Sequence, residues 1–229
     1  MNESLGSPLA IFVHGLNLYD KDWERCVWGV PPKALGRVPK ALHLLLTEYS
    51  DAEAIVFGSG ATKRGEVFES EETLRYLFEN FNRLREFDEF RDLSVADLER
   101  LYHNLVEIEE VQTTSVNTYT ELEHAIPQLF KRGIRRLVLV SEKTHVSRCH
   151  VHGEEILEKL GLSCEMDLIP RGSPALPPHV TASNVVIFEP QGDDRDKVVP
   201  NLKRIFKIPA EGREAFNEGL GQLLTNVGA

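Results

Sequence analysis

Cysteine is scarce in this chain: three residues in 229, Cys26, Cys149 and Cys164, an odd number at unrelated spacings. That matches neither a disulfide framework nor the paired spacing of a zinc site, and a reducing cytoplasm is the expected compartment. Positive charge is short as well. The 26 Lys and Arg residues face 36 Asp and Glu, a formal net charge of -10, which works against a general attraction to nucleic acid or to an anionic membrane. Any anionic ligand then needs a local basic site. No apolar run approaches the ~20 residues of a membrane span. The opening MNESLGSPLAIFVHG carries an early acid and a short apolar run, unlike a signal peptide. Also missing are the glycine-serine elbow of an α/β-hydrolase and the helix motif of a metalloprotease. There is no internal repeat. The length suits one large α/β domain over residues 1–229, with no nucleic-acid or membrane partner expected.

Short β-rich runs alternate with helical stripes, the pattern of a three-layer α/β fold with a mostly parallel sheet and helices on both faces. Strands are expected at residues 9–13, 53–57, 137–140, 166–169 and 184–188. The stripe Ala41, Leu42, Leu45, Leu46 and Tyr49 predicts a helix from Val38, with Arg37 just before it. Leu74, Leu77, Phe78, Phe81 and Leu84 predict another helix over residues 70–87. Ser94 with Asp97 starts a third, so residues 74–110 read as a helical insertion, either covering the crevice, forming an interface, or standing as a solvated hairpin. Thr118 and Glu121 form a capping box for a helix ending near Gly133, and Val146 to Leu160 continues past His145 to Gly161. A final amphipathic helix is expected through Phe216, Leu220, Leu223 and Leu224. Residues 17–32, with Tyr19, Trp23 and Trp28, read as a long loop whose aromatics either cover a ligand or anchor the loop itself.

In open parallel sheets, the loops at the carboxyl ends of the strands form the binding crevice. His14 follows the first strand. Gly58, Ser59 and Gly60 follow the second, where glycine lets backbone N–H groups approach a ligand, although a plain turn fits equally. The lysine spacing after these glycines is not that of a P-loop. Residues 112–118, with Ser115, Asn117 and Thr118, and residues 141–148, with Ser141, Lys143, His145 and Arg148, fall on the same edge. Arg37 at a helix start suits phosphate or carboxylate, or is a surface arginine. His150 and His152 read as surface residues. Glu189, Asp193, Asp194 and Asp196 cluster after the last expected strand, where they either hold magnesium or form a polar turn, and the case for a metal is weak.

The segments SVNT, with Ser115, Asn117 and Thr118, and VSEKTHVSR, with Ser141, His145 and Arg148, resemble the two signature segments of the YdcF-like domain family, of the SanA/ElyC type. GRVPKALHLLL from Gly36 resembles that family's arginine-led first helix, IVFGSG its glycine-ended second strand, and ESEE, with Ser70 and Glu71, its Ser-Glu pair. These segments keep the family's order over residues 11–161. The chain departs from the family at Gln112, where an acid is usual, at His14-Gly15, and in the longer segment 74–110. The resemblance implies a Rossmann-like domain with a polar pocket at the strand ends, binding S-adenosylmethionine in one branch and linked to cell-envelope glycan metabolism in others.

The expected function is binding of a small polar molecule, nucleotide-like or phosphorylated, with S-adenosylmethionine as the candidate cofactor. Arg37 and Arg148 would bind its charge, and Ser115 and Asn117 would orient it. If the protein is a hydrolase or group transferase, His145 and Glu71 are the acid and base candidates. The alternative is a ligand-sensing or partner-binding module without turnover. Asn117 is expected to matter for binding rather than for stability, because Thr118 supplies the helix cap. A neighbouring arginine and helix start should lower the pKa of His145 below its ordinary value.

Overall fold

The computed structural model describes residues 6–180 and 222. The expected strand at residues 184–188, the acidic cluster from Glu189 to Asp196 and the final helix through Phe216 lie outside the described residues. Five strands form one sheet: β1 (Leu9–Val13), β2 (Ala54–Gly58), β3 (Glu109–Gln112), β4 (Arg136–Glu142) and β5 (Asp167–Ser173). Their order across the sheet is β3-β2-β1-β4-β5, and every neighbouring pair is parallel. The helices are α1 (Arg37–Thr47), α2 (Glu69–Asn80), α3 (Val95–Ile108), α4 (Thr118–Lys131) and α5 (Val146–Leu160). This is a three-layer, Rossmann-like α/β fold.

Strands β1 and β2 and residues 137–140 of β4 read as unbroken apolar runs because both faces of the central sheet are covered. Side chains of β1 alternate: Leu9, Ile11 and Val13 join a core cluster with Val38, Leu42 and Leu45 of α1, Leu77 of α2 and Leu98, Leu101 and Leu105 of α3. Ala10 and Phe12 face the other way, onto Leu122, Ile126 and Leu129 of α4 and Ile156 and Leu157 of α5. Every residue of β1 and β2 is buried. At the far end, Gly161 closes α5 in the left-handed region, φ 71°, where a residue without a Cβ is least strained.

The segment 74–110 belongs to this core. Leu84, Phe87 and Phe90, on 3-10 turns between α2 and α3, are fully buried in the same cluster as β1 and β2. It is therefore neither a solvated hairpin nor a cover for the crevice. Ser94 starts α3 as expected, accepting from the Asp97 backbone N–H at 3.1 Å, while the Asp97 carboxylate accepts from the Ser94 N–H. The segment ends in a strand that the sequence pattern did not announce. Glu109 to Gln112 has two glutamates and a half-buried profile because β3 lies at the sheet edge, where charged side chains are tolerated and no apolar alternation is imposed.

Residues 17–32 are anchored by their own aromatics. Trp28 is fully buried against Phe87 and Tyr76, and Trp23 packs edge-on to Tyr76 at 5.3 Å, within a loop that includes a short helix, Trp23–Val27. Only Tyr19 stands out in solvent.

The start of α4 corrects an expectation. Asn117, not Thr118, is the N-cap: its Oδ1 accepts from the Thr120 N–H at 2.9 Å, and the Thr120 hydroxyl accepts from the Asn117 N–H at 3.1 Å. The segment N-T-Y-T offers two overlapping registers, and asparagine, among the best N-cap residues, wins the earlier one. Glu121 is thereby released from capping. Asn117→Ala should accordingly lower the unfolding free energy by about 1 kcal/mol in urea denaturation, whereas a ligand-only role would leave the apo protein unchanged.

Candidate functional site

The strand order reverses direction at β1. From there the chain crosses to β2 and β3 on one side and to β4 and β5 on the other, so a crevice opens between the carboxyl ends of β1 and β4. A cavity of about 540 Å³ lies there, with Gly15, Arg37, Ser59, Glu69, Asn117, Thr118, Glu121, Glu142, His145 and Arg148 on its walls.

The floor is built of compensated charges. His14 leaves β1 with its N–H bonded to the Val140 carbonyl at 3.0 Å, and its Nδ1 meets Glu121 Oε2 at 2.6 Å. The Gly15 N–H donates to the other Glu121 oxygen at 3.0 Å. Both side chains of the pair are buried. Burial alone would press the His14 pKa down. The electrostatic and hydrogen-bonding interactions with the Cys149 sulfur and the Glu121 carboxylate outweigh it and carry the pKa up to about 9. Arg37, the first residue of α1, donates to the His14 carbonyl at 2.7 Å, to the Gly15 carbonyl and to the Glu142 carboxylate at the end of β4. Its guanidinium is a buried strut, already committed to three acceptors, rather than an anion receptor at a helix start.

The glycines of Gly58-Ser59-Gly60 answer to packing. A Cβ on Gly58 would crowd the Glu121 carboxylate, and one on Gly60 would collide with the Thr113 carbonyl. Neither lines the cavity, so this turn does not cradle a ligand with those two residues; Ser59 does line it. Ser70 and Ser115 are also off the cavity and fully buried. Ser70 donates to the Gln112 carbonyl at 2.9 Å, fastening α2 to β3, and Ser115 accepts from the Gly60 N–H at 3.4 Å. Lys143 is exposed and away from the cavity. Glu71 is corrected as well: its carboxylate accepts from the Phe68 N–H at 2.8 Å, closing the start of α2, and does not line the cavity. The carboxylate that faces the site from that helix is Glu69, two residues earlier, held by the hydroxyls of Ser59 at 3.0 Å and Thr62 at 2.6 Å. Burial raises its pKa, and those two hydroxyls pull partly the other way.

His145 stands at the end of the turn after β4, immediately before α5. Its Nδ1 lies 2.7 Å from the Ser141 hydroxyl, which itself donates to Glu142 Oε2 at 3.2 Å. With its proton directed to Glu142, Ser141 offers His145 a lone pair, an arrangement in which Nδ1 carries the ring hydrogen and Nε2 accepts; the Cys149 sulfur also lies 3.4 Å from Nδ1. Nε2 points at the Thr118 hydroxyl, 3.2 Å away, on the cavity wall. Burial, Arg148, Arg37 and His14 together hold the His145 pKa well below 6.5. Neutral imidazole with a free-electron-pair nitrogen toward the cavity is the form that takes up a proton at neutral pH. Ser141 acts from beneath, fully buried, and His14 likewise lies behind the wall. His152, expected at the surface, is buried edge-on against Tyr119, 5.7 Å between ring centres.

Glu69 and Glu142 were not singled out from the sequence, and Glu121 only as a helix-capping residue. Glu142 alone had a positional signal, following Ser141 at the strand end. Among the described residues, no group of three or more His, Cys, Asp or Glu is placed to hold a metal ion, and no helix is long and apolar enough to cross a membrane. No protein-family model, curated protein or solved structure matches the chain.

The two histidines give stability opposite pH dependences. The raised pKa of His14 contributes stability that is complete below about 6.5 and lost as pH rises through about 9. The lowered pKa of His145 contributes stability present above about 6.5 and lost as pH falls toward its folded value. The His14 contribution should lower the unfolding free energy measured in urea by up to about 3 kcal/mol as pH rises from about 6.5 through about 9. Glu121→Gln should flatten the alkaline limb and His145→Gln the acid one.

Proposed function

We propose that this chain is a YdcF-like protein of the cytoplasm. It binds a small polar molecule, nucleotide-like or phosphorylated, at the carboxyl edge of its sheet, and hydrolyses it or transfers a group from it. The observation that carries this reading is His145: a neutral imidazole whose Nδ1 is held by Ser141 and Glu142, leaving Nε2 directed at Thr118 on the cavity wall. Such a fixed tautomer is what a general base requires. Arg148, in the first turn of α5, brings a guanidinium to the same wall and suits a phosphate or carboxylate. S-adenosylmethionine, a sulfonium nucleoside whose zwitterionic tail ends in a carboxylate, would offer that carboxylate to Arg148. Arg37 spends both terminal nitrogens of its guanidinium on the His14 and Gly15 carbonyls and on Glu142, so its part is to brace the wall.

A second reading, a ligand sensor without turnover, draws support from the same pairing. His14 pairs with Glu121 and Arg37 with Glu142, so the charges of the floor are balanced without a reacting partner.

A thermal-shift series of nucleotides, sugar phosphates and adenosyl compounds tests binding. A ligand present at 100 times its dissociation constant should add about 2.7 kcal/mol to stability, and no shift with any of these classes would remove the reading. For the hit, His145→Gln should keep most of the affinity while slowing turnover on the order of 100-fold or more. Wild-type binding without turnover would select the sensor.

A further inference from the structure

Three carboxylates reach the cavity, and two of them have their charge answered inside the protein: Glu121 by His14 and Glu142 by Arg37. Glu69 does not. It is 1% exposed, and among the described residues it makes no ion pair; its two oxygens accept only from neutral hydroxyls, Ser59 on Oε1 and Thr62 on Oε2. A carboxylate offers about four lone-pair sites, so about half of its accepting capacity is unused. Nor can the group turn away. Gly15 is packed so closely that a Cβ there would collide with Glu69 Oε1, which pins the carboxylate beneath the chain leaving β1.

We propose that Glu69 receives a vicinal diol of the ligand, the 2′- and 3′-hydroxyls of a ribose ring, one on each oxygen. This rests on the reading of the ligand as nucleotide-like or phosphorylated, and it places the sugar on the Ser59–Thr62 side with the anionic group toward Arg148. Two adjacent hydroxyls match the pattern already present, in which each oxygen takes a neutral donor. An ammonium group fits less well: it brings three donors and a charge to be desolvated, while the nearby carboxylates Glu121 and Glu142 are already engaged with His14 and Arg37. Diol donors also favour the ionised form of Glu69, adding to what Ser59 and Thr62 supply against burial.

The test is calorimetric titration of the full chain with AMP, 2′-deoxy-AMP and 3′-deoxy-AMP, and with ribose 5-phosphate against 2-deoxyribose 5-phosphate. Loss of either hydroxyl should weaken binding by about 10-fold or more, since it leaves a buried acceptor unmet. Glu69→Gln, and Glu69→Asp as a second variant, should bind the deoxy compounds about as wild type does but lose the preference for the ribo forms. The ligand comparison on wild type needs no variant to fold. Equal affinity for ribo and deoxy compounds overturns the diol assignment alone, as does tighter binding of phosphoethanolamine than of AMP. Failure of every one of these probes to bind overturns the ligand reading and the diol assignment together.

Discussion

Charge burial at the end of β1 is the constraint on which the rest of the site depends. His14 and Arg37 are taken out of water side by side, Arg37 donating to the His14 carbonyl, and each needs an opposite charge placed to hydrogen-bond distance. Glu121 comes from α4 and Glu142 from β4, so the two pairs tie both halves of the sheet to the helices on its two faces. Removing one partner from such a pair costs about 3–5 kcal/mol because the other is left buried and unanswered. The backbone obeys the same demand: Gly15 and Gly58 lack side chains where the carboxylates of Glu69 and Glu121 must fit.

The pairing also decides what is left for a ligand. A cavity with three carboxylates and two arginines on its walls looks strongly charged. With Glu121 and Glu142 paired from within, Glu69 stands on one side of the cavity and His145, Thr118 and Arg148 on the other. Those groups sit on helix starts and strand ends, whose positions are fixed by the core beneath them, and the support under His145 is itself buried. The site therefore needs little rearrangement to present an imidazole acceptor, a condition that favours proton transfer.

Much of the fold was legible in the chain. Strand β1 fell where its apolar run lay, and β2 and β4 within a few residues, because strands buried on both faces must be continuously apolar; β5, at the sheet edge, was marked by Leu168 and Ile169 but runs on through Arg171 to Ser173. Helices α1 and α3 announced themselves through a helical stripe and, for α3, a capping box. The edge strand β3 was not legible, since an edge asks little of its side chains. Nor was the burial of Phe87, the extended residue between two 3-10 turns, and of Phe90 on the second of them, where no helical period reveals an inner face.

The edge of the sheet that carries the site, and the presence there of His145, Thr118 and Arg148, followed from the sequence alone, because strand-end position depends on local pattern and on the rule that parallel strands share a direction. The roles of individual polar residues did not. Glu71 and Glu69 are two apart on one helix and differ by most of half a turn in direction. Asn117 and Thr118 compete for one cap. Arg37 could have faced a ligand or a carboxylate. Which way each went was decided by partners distant in the chain, Glu121 for His14 and Glu142 for Arg37. A buried charge chooses its partner by proximity in space, and only the folded chain sets that.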